Sequence, residues 1–402
     1  MPKERTELTR FPVVADILLH LKTFVGDDCY LSFACVGREW RHAWKGTPTV
    51  TRCPVRETTV GMLRECLDLG QCKDCPRICS TIALLDRPDL FKEAIAAGCW
   101  IETGVCDNAA TVGSLEILRM AVRRGADVDK YTGYAAARGG DIDVMRWLCF
   151  QRCELGPEIL GLAAAAGHLE LLKCLWFHGR ELDIHVCDMA AKEGHLDILR
   201  WARQKDCPWD RNTFARAAAG GNREVLDWMR NNGCPWDKLF CYSAAEHNRL
   251  DVLIWARQHG CPWDEGVTHI SARMGNMAVL AWAHDNGCPW DEGTCDNAAD
   301  TGQLEALEYA HSNGCPLGYA TCDVAATSGH LNVLMWALSR GCVWDEETSI
   351  SAAAGGHLDV LQYAIGHGCP YDHGRLLNIS QKTGNFGVRD WLMGDVFFGF
   401  SI

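Results

Sequence analysis

Cysteine and histidine are the residues of this 402-residue chain whose types and spacing could support chemistry. Cys72, Cys75 and Cys79 follow a Cys-x2-Cys-x3-Cys spacing of the kind that can hold zinc. Cys-Pro dipeptides recur farther along the chain, and a thiolate there could act as a nucleophile or as half of a redox pair. The spacing of all these cysteines decides between such chemistry and a structural role.

The Cys-Pro dipeptides mark a strict repeat of 27 residues, at Cys207, Cys234, Cys261, Cys288, Cys315 and Cys369, and Cys342 holds the same place before a valine. Equal steps backwards reach Arg180, Cys153, Ala126, Cys99 and Cys72, so the chain has twelve such positions, here called anchors. A fixed period of this size is typical of repeat proteins. We expect an anchor cysteine to be a small buried residue, its proline to follow a helix end, and the aspartate of Cys-Pro-Trp-Asp to cap the next helix.

The remaining candidate ligands also follow the repeat. Histidine occurs 15 residues after an anchor, but asparagine or glutamine replaces it in other repeats, so the column predicts a helix cap rather than a ligand set: His168, His195, Asn222, Asn276, Gln303, His330 and His357. A second cysteine column lies seven residues after an anchor, at Cys106, Cys187, Cys241, Cys295 and Cys322. These thiols lie beside an alanine pair, where we expect buried and unreactive cysteine.

Two alternatives remain open for Cys72, Cys75 and Cys79: a zinc site, or ordinary packing in a degenerate first repeat. Packing is favoured because Cys72 is itself an anchor and no His/Cys pair follows at finger spacing. The chain lacks the common nucleotide-binding, metalloprotease and hydrolase motifs. We therefore expect no catalytic residue, no cofactor and no enzymatic activity.

Two glycine columns predict that each repeat contains two helices. One column lies 14 residues after the anchor, with Asn248 as its exception, and the other immediately precedes the anchor, with exceptions at Arg152 and Asp206. Glycine and asparagine are the residues that best adopt the left-handed conformation at a helix end. Alanine pairs mark the first helix, and leucines spaced i, i+3 mark the second. The fold class predicted is all-α.

This pattern resembles the ankyrin repeat. The segment TCDVAATSGHLNVLMWALSRGC (321–342) is similar to that family's Thr-Pro-Leu-His-x-Ala-Ala helix and the Gly-His-Leu-Glu helix that follows it. The ankyrin unit has about 33 residues, so roughly six are missing here from the place of its β-hairpin finger. The resemblance implies an ankyrin-like solenoid of about twelve short helix-turn-helix repeats with the finger absent or stunted.

The amino-terminal segment FPVVADILLHLKTFVGDDCYLSFACVGREWRHAW (11–44) does not follow the repeat and resembles an F-box. The positions that match the family are Phe11, Pro12, Ile17, Leu18, Leu21, Val36 and Trp40. The resemblance implies that these residues bind a Skp1-like adaptor of a cullin-type ubiquitin ligase. The alternative is a helical cap over the first repeat. An F-box-like start joined to short ankyrin-like repeats is similar to families encoded by giant DNA viruses of amoebae.

The predicted domains are an F-box-like segment at 1–52, a linker with a cap helix at 53–71, the repeats at 72–394 and a tail at 395–402. Within the repeats, partner binding is expected where residue type varies while the structural columns stay constant. The predicted face consists of Arg211, Lys238, Glu265 and Glu292 four residues after an anchor, Asp188, Tyr242, His269 and Asp296 eight residues after it, and Lys192 and Arg273 near the end of the first helix.

Charge and composition narrow the classes of partner. The net charge of −13 disfavours binding to nucleic acids or anionic membranes. No stretch approaches the roughly 18 apolar residues that cross a bilayer, and the first residues lack the apolar run of a signal peptide. We expect a monomeric cytoplasmic adaptor with reduced thiols that recruits an unknown target protein to a ubiquitin ligase. The alternative is a plain ankyrin-repeat scaffold.

Overall fold

The computed structural model describes residues 77–102, 104–318 and 320–397. Within these ranges the protein forms 24 helices and no strand. The all-α prediction is therefore confirmed for the described residues, and the short turns between repeats contain no β-hairpin. None of the described helices combines the length and the apolar character needed to cross a membrane.

The chain divides into two compact units, with the boundary between Glu181 and Leu182. In unit 1 the structure describes eight helices that form four consecutive pairs: α1 Ile78–Leu84, α2 Pro88–Ala96, α3 Val105–Val112, α4 Leu115–Arg123, α5 Lys130–Gly139, α6 Ile142–Phe150, α7 Ile159–Ala165 and α8 Leu169–Phe177. Each odd-numbered helix packs against the odd-numbered helix of the next pair, so α1, α3, α5 and α7 form one layer.

Unit 2 continues the same arrangement with eight further pairs in its described residues. Their helices are α9 Ile184–Glu193, α10 Leu196–Gln204, α11 Arg211–Gly220, α12 Arg223–Asn231, α13 Lys238–Glu246, α14 Leu250–Gln258, α15 Gly266–Met274, α16 Met277–Asp285, α17 Glu292–Asp300, α18 Leu304–Ser312, α19 Ala320–Thr327, α20 Leu331–Ser339, α21 Glu346–Gly355, α22 Leu358–Gly366, α23 His373–Thr383 and α24 Phe386–Phe397. Because α24 extends to Phe397, helix continues past residue 394, where the repeats were predicted to end.

The helices end where the two glycine columns predict. Gly302, at the end of α17, has φ +74°, and Gly314, after α18, has φ +88°. The exceptions to both columns adopt the same backbone: φ is 55° at Asn248, 56° at Arg152 and 57° at Asp206. These positions therefore require a left-handed backbone conformation even where another residue replaces glycine.

Small side chains allow the odd-numbered helices to pack closely. The alanine pair of α17, Ala298 and Ala299, is completely buried, and so are the pairs in α13 and α19. A β-carbon added at Gly220 would lie 1.9 Å from the backbone oxygen of Lys192, so α9 and α11 approach closely there. Even-numbered helices contribute buried Leu and Val, such as Leu280 and Val279 of α16.

Where the anchor is cysteine, its thiol closes the helix pair that precedes it. The Cys207 thiol donates to the backbone carbonyl of Asp183 at 3.1 Å, and the Cys315 thiol donates to the Asp291 carbonyl at 3.0 Å. Because Asp183 precedes α9 and Cys207 follows α10, the bond joins the two ends of one pair. Asp183 and Asp291 also cap α9 and α17 through their side chains. The Cys-Pro-Trp-Asp phrase is a structural turn, as predicted.

Candidate partner-binding face

Positions within a repeat are numbered here from the anchor, so that position 8 lies eight residues after it. The predicted face occupies positions 4, 8 and 12. The F-box-like residues, together with Cys72 and Cys75, lie outside the described residues. Cys79 is completely buried in α1. In the described part of the chain no three His, Cys, Asp or Glu side chains form a group that could hold a metal ion.

Asp188, at position 8 of α9, is buried rather than exposed. Only 4% of its surface is accessible, and its carboxylate accepts a hydrogen bond of 2.6 Å from the hydroxyl of Thr213 in the next pair. Arg216 lies 3.1 Å from the second carboxylate oxygen. The expectation that Asp188 is a surface contact is therefore wrong, because its carboxylate binds Thr213 and Arg216 across the contact between α9 and α11.

The threonine at position 6 satisfies two groups at once. Thr213 donates its hydroxyl hydrogen to Asp188, and its oxygen accepts from the backbone N–H of Asp210 at 3.1 Å. Asp210 in turn caps α11 by accepting from the backbone N–H groups of Asn212 and Thr213. One hydroxyl thus links the first helix of one pair to the capped start of the next. The same position-8 to position-6 bond recurs at Asp107–Thr132, Asp296–Thr321 and Asp323–Thr348.

Tyr242 and His269, also at position 8, form a different contact with the next repeat. The Tyr242 hydroxyl donates to Asp264, and His269 Nε2 lies 2.6 Å from an oxygen of Asp291. Both aspartates occupy position 3 and precede the next first helix. Tyr134 reaches a carboxylate of the next pair in unit 1, that of Glu158. These side chains are also engaged between helix pairs.

Arg211 and Lys238, at position 4, pair with the same aspartate column. Arg211 Nη1 lies 3.2 Å from Asp237 Oδ2, and Lys238 Nζ lies 2.7 Å from Asp264 Oδ2. Burial alone would raise the pKa of Asp264, but hydrogen bonds from Lys238 and Tyr242 outweigh it and lower this pKa. Exposed ion pairs of this kind contribute little to stability, because solvent screens them.

Asp296 is half-buried, and its carboxylate accepts from the Thr321 hydroxyl at 2.5 Å. Burial raises the pKa of Asp296, and the hydrogen bond from Thr321 opposes this effect only in part. Its position therefore resembles that of Asp188 more than that of a free surface carboxylate.

The four remaining predicted residues are exposed: Lys192, Glu265, Arg273 and Glu292. Lys192 lies 3.8 Å from the neighbouring Glu193. Within the described ranges the side chains of Glu265, Arg273 and Glu292 form no hydrogen bond or ion pair. We call Glu265, Arg273 and Glu292 the open charges. They lie immediately before α15, on α15 and on α17, at positions 4 and 12, and are available to a partner.

The residue type at position 8 correlates with the residue type at position 6 of the next repeat, and this pairing rule was not predicted from the sequence. Where position 8 is aspartate, the residue 25 positions later is threonine, as in the four bonds above. Where position 8 is tyrosine, that residue is apolar: Ile159 follows Tyr134, and Val267 follows Tyr242. Comparing columns 25 residues apart would have revealed this dependence, because the two side chains meet across adjacent first helices.

Comparison with protein-family models and with curated proteins finds no match to the chain. The function must therefore be inferred from the repeat and its surface.

Proposed function

We propose that this protein is a protein–protein interaction adaptor, the substrate-recruiting subunit of a Skp1-cullin-type ubiquitin ligase. In this proposal the F-box-like segment binds a Skp1-like adaptor, and ankyrin-like repeats without fingers bind the target. The chain acts as a monomer in the cytoplasm, in a host cell if a virus encodes it. In this proposal no residue of the chain catalyses a reaction on the target.

The observation that carries the proposal is the separation of constant and variable positions in the helix pairs. Alanine pairs, caps and anchor thiols keep one structure from pair to pair, while position 4 changes from Arg211 and Lys238 to Glu265 and Glu292. Repeat proteins bind partners through such variable surface positions. The open charges have no partner of their own within the described residues, so a protein of complementary charge could pair with them.

The test of the ligase proposal is capture of purified Skp1 and cullin by the full chain. The variant Leu18→Asp with Leu21→Asp should lose capture: the F-box resemblance implies that both leucines lie on one helix face, so charge would enter the interface. Circular dichroism should show unchanged helicity. Capture that survives the double substitution would contradict the F-box assignment. Unfolding of the variant would favour the alternative, a scaffold whose first helices only cap the repeats.

Target binding is tested separately, on a partner identified by an interaction screen with and without residues 1–52. Arg273→Glu should weaken that complex while the midpoint of thermal unfolding stays constant, since Arg273 is exposed. The matched control is Lys238→Glu, which removes the contact with Asp264 between pairs. Lys238→Glu should lower the midpoint of thermal unfolding rather than weaken the complex. Equal binding by the Arg273 variant would exclude this face.

A further inference from the structure

Cysteine thiols form pairs within the helix pairs of unit 2. The cysteine at position 7 lies beside the anchor cysteine that follows it 20 residues later, in the pairs Cys187/Cys207, Cys241/Cys261, Cys295/Cys315 and Cys322/Cys342. In the last pair the Cys322 thiol donates to Cys342, with the sulfur atoms 2.7 Å apart. A disulfide requires about 2.05 Å between sulfurs, so a small movement would connect them.

The Cys322/Cys342 pair differs from the other three in its exposure. The other anchors, Cys207, Cys261 and Cys315, are at most 1% exposed, and a proline follows each of them. Cys342 is only half-buried, and the residue after it is Val343, which is 71% exposed. The residue Cys342 is therefore partly accessible to solvent, whereas the other three anchor residues are closed off by packing.

The hydrogen bonds of Cys342 also differ. Its thiol lies 3.9 Å from the Gly318 carbonyl, whereas Cys315 donates to Asp291 at 3.0 Å. The proton of Cys342 is thus held more weakly by the backbone than that of Cys315. The hydrogen bond from Cys322 lowers the pKa of Cys342, although burial and the nearby Asp323 and Asp296 oppose this shift. The same bond raises the pKa of Cys322.

We propose that Cys322 and Cys342 are a peroxide-sensitive dithiol that closes into a disulfide within one helix pair. The Cys342 thiolate attacks one peroxide oxygen, an S–O bond forms, the O–O bond breaks, and the departing hydroxide is protonated to water. Cys322 sulfur then attacks the sulfenic sulfur, expels the second oxygen as hydroxide, and gives up its own proton to form another water. Two thiols are oxidised and one peroxide is reduced.

The position of this disulfide would stabilise one helix pair. Cys322 lies in the first turn of α19, and Cys342 follows α20, so the bond would join the open ends of one helix pair. Cross-linking restricts the unfolded chain and so stabilises the folded pair. In a reducing compartment such bonds are typically transient and respond to oxidants.

The experiment treats the full chain with hydrogen peroxide, blocks the remaining thiols after denaturation, and maps cysteine peptides by mass spectrometry. A Cys322–Cys342 disulfide, with the mass loss of two hydrogen atoms, is expected, while Cys295 and Cys315 stay alkylated. The unfolding midpoint should rise on oxidation and return after reduction. Reduced Cys342, or a disulfide that favours Cys295/Cys315, would overturn the proposal.

Two variants determine the order of the steps. Cys322→Ser should stop at a sulfenic acid on Cys342 that dimedone labels. It should fold, because Ser349 beside Cys369, at 3.1 Å, already forms such a Ser/Cys pair. Val343→Pro restores the turn of the other repeats and should slow disulfide formation several-fold. If Cys322→Ser gives no dimedone adduct, Cys342 is not the thiol that attacks the peroxide. If Val343→Pro reacts at the original rate, the exposure of Cys342 does not control the reaction. Either result contradicts the proposal.

Discussion

The turns between helix pairs differ between the two units, although the helices they join are alike. In unit 2 a tryptophan occupies position 2 at Trp209, Trp236, Trp263, Trp290 and Trp344. Trp209 lies between the Arg203 guanidinium, 4.5 Å from its ring centroid, and the Trp228 ring at 5.7 Å. Arg203 belongs to the preceding pair and Trp228 to the following one. The turn therefore connects successive pairs through an aromatic contact.

Unit 1 lacks this contact within its described residues. Its position-2 residues are Ile101, Val128 and Leu155. Three of its large aromatic side chains lie instead on the surface: Trp100, Phe150 and Phe177 are each 83% exposed. The difference shows that caps, alanine pairs and anchors are sufficient to form a helix pair. Among the residues that the structure describes, aromatic contacts in the turn are an addition found in unit 2.

The largest expected effect distinguishes a buried aromatic of unit 2 from an exposed one of unit 1. Trp255 is 1% exposed, packs against Trp236 and Phe240, and donates its indole N–H to Asp227 at 2.9 Å. Trp255→Ala should lower the free energy of unfolding by about 3–5 kcal/mol, because a large cavity replaces the ring. Urea denaturation followed by circular dichroism measures this change.

The matched variant Phe177→Ala should change the same quantity by less than about 0.5 kcal/mol, because its ring already faces solvent. A cost similar to that of Trp255→Ala would show that the exposed aromatics of unit 1 are covered in solution. The contrast between the units would then disappear.

Glycine caps, unlike the turns, should behave alike in both units. Gly302 in unit 2 and Gly140 in unit 1 have φ +74° and +81°. A β-carbon at Gly302 would lie 2.6 Å from His330, and one at Gly140 would lie 2.4 Å from His168. Gly302→Val and Gly140→Val should each cost roughly 2–3 kcal/mol, since a β-branched residue resists this backbone and must displace the histidine.

Thermal unfolding of both variants checks this expectation. An unchanged midpoint for either would mean that its position is not a strict left-handed cap. Unequal losses would extend the difference between the units from the turns to the helix ends.

The helix pairs and their ends could be predicted from the sequence because each depends on local rules. The left-handed backbone of Asn248 follows from its place in a glycine column. The burial of Asp188 could not be predicted in this way, because its partner Thr213 is 25 residues away and on another helix. The burial of the tryptophans 21 residues after an anchor could not be predicted either: Trp255 is buried, whereas Trp282 is only half-buried. Such differences depend on neighbours across the repeat.

The Asp–Thr contacts should couple helix pairs in both units. Thr213→Val in unit 2 and Thr132→Val in unit 1 remove the hydroxyl that bonds Asp188 and Asp107. Each should cost about 1–2 kcal/mol, the lower part of the range for an unsatisfied buried group, since Arg216 still pairs with Asp188 and Asp107 is only half-buried. Chemical denaturation of the single variants provides the measurement.

A double variant tests the pairing rule itself. Asp188→Tyr with Thr213→Val reproduces the Tyr242–Val267 combination, and Asp210 is in place to accept from the new hydroxyl, as Asp264 does from Tyr242. The double variant should be more stable than the sum of the single losses by at least about 0.5 kcal/mol. Strict additivity would indicate that positions 8 and 6 are independent.

The smallest expected effect concerns Arg203, which stacks on the turn residue Trp209 in unit 2. Arg203 stacks on Trp209 and donates to the backbone carbonyl of Cys207. Arg203→Met keeps much of the apolar stem but removes the cation, so the free energy of unfolding should fall by about 1 kcal/mol. Arg200→Met on the exposed side of α10 is the control, because it removes the same charge without a stacked ring. If both variants lose equal stability, net charge explains the loss, and the aromatic turn contributes no specific coupling between the pairs of unit 2.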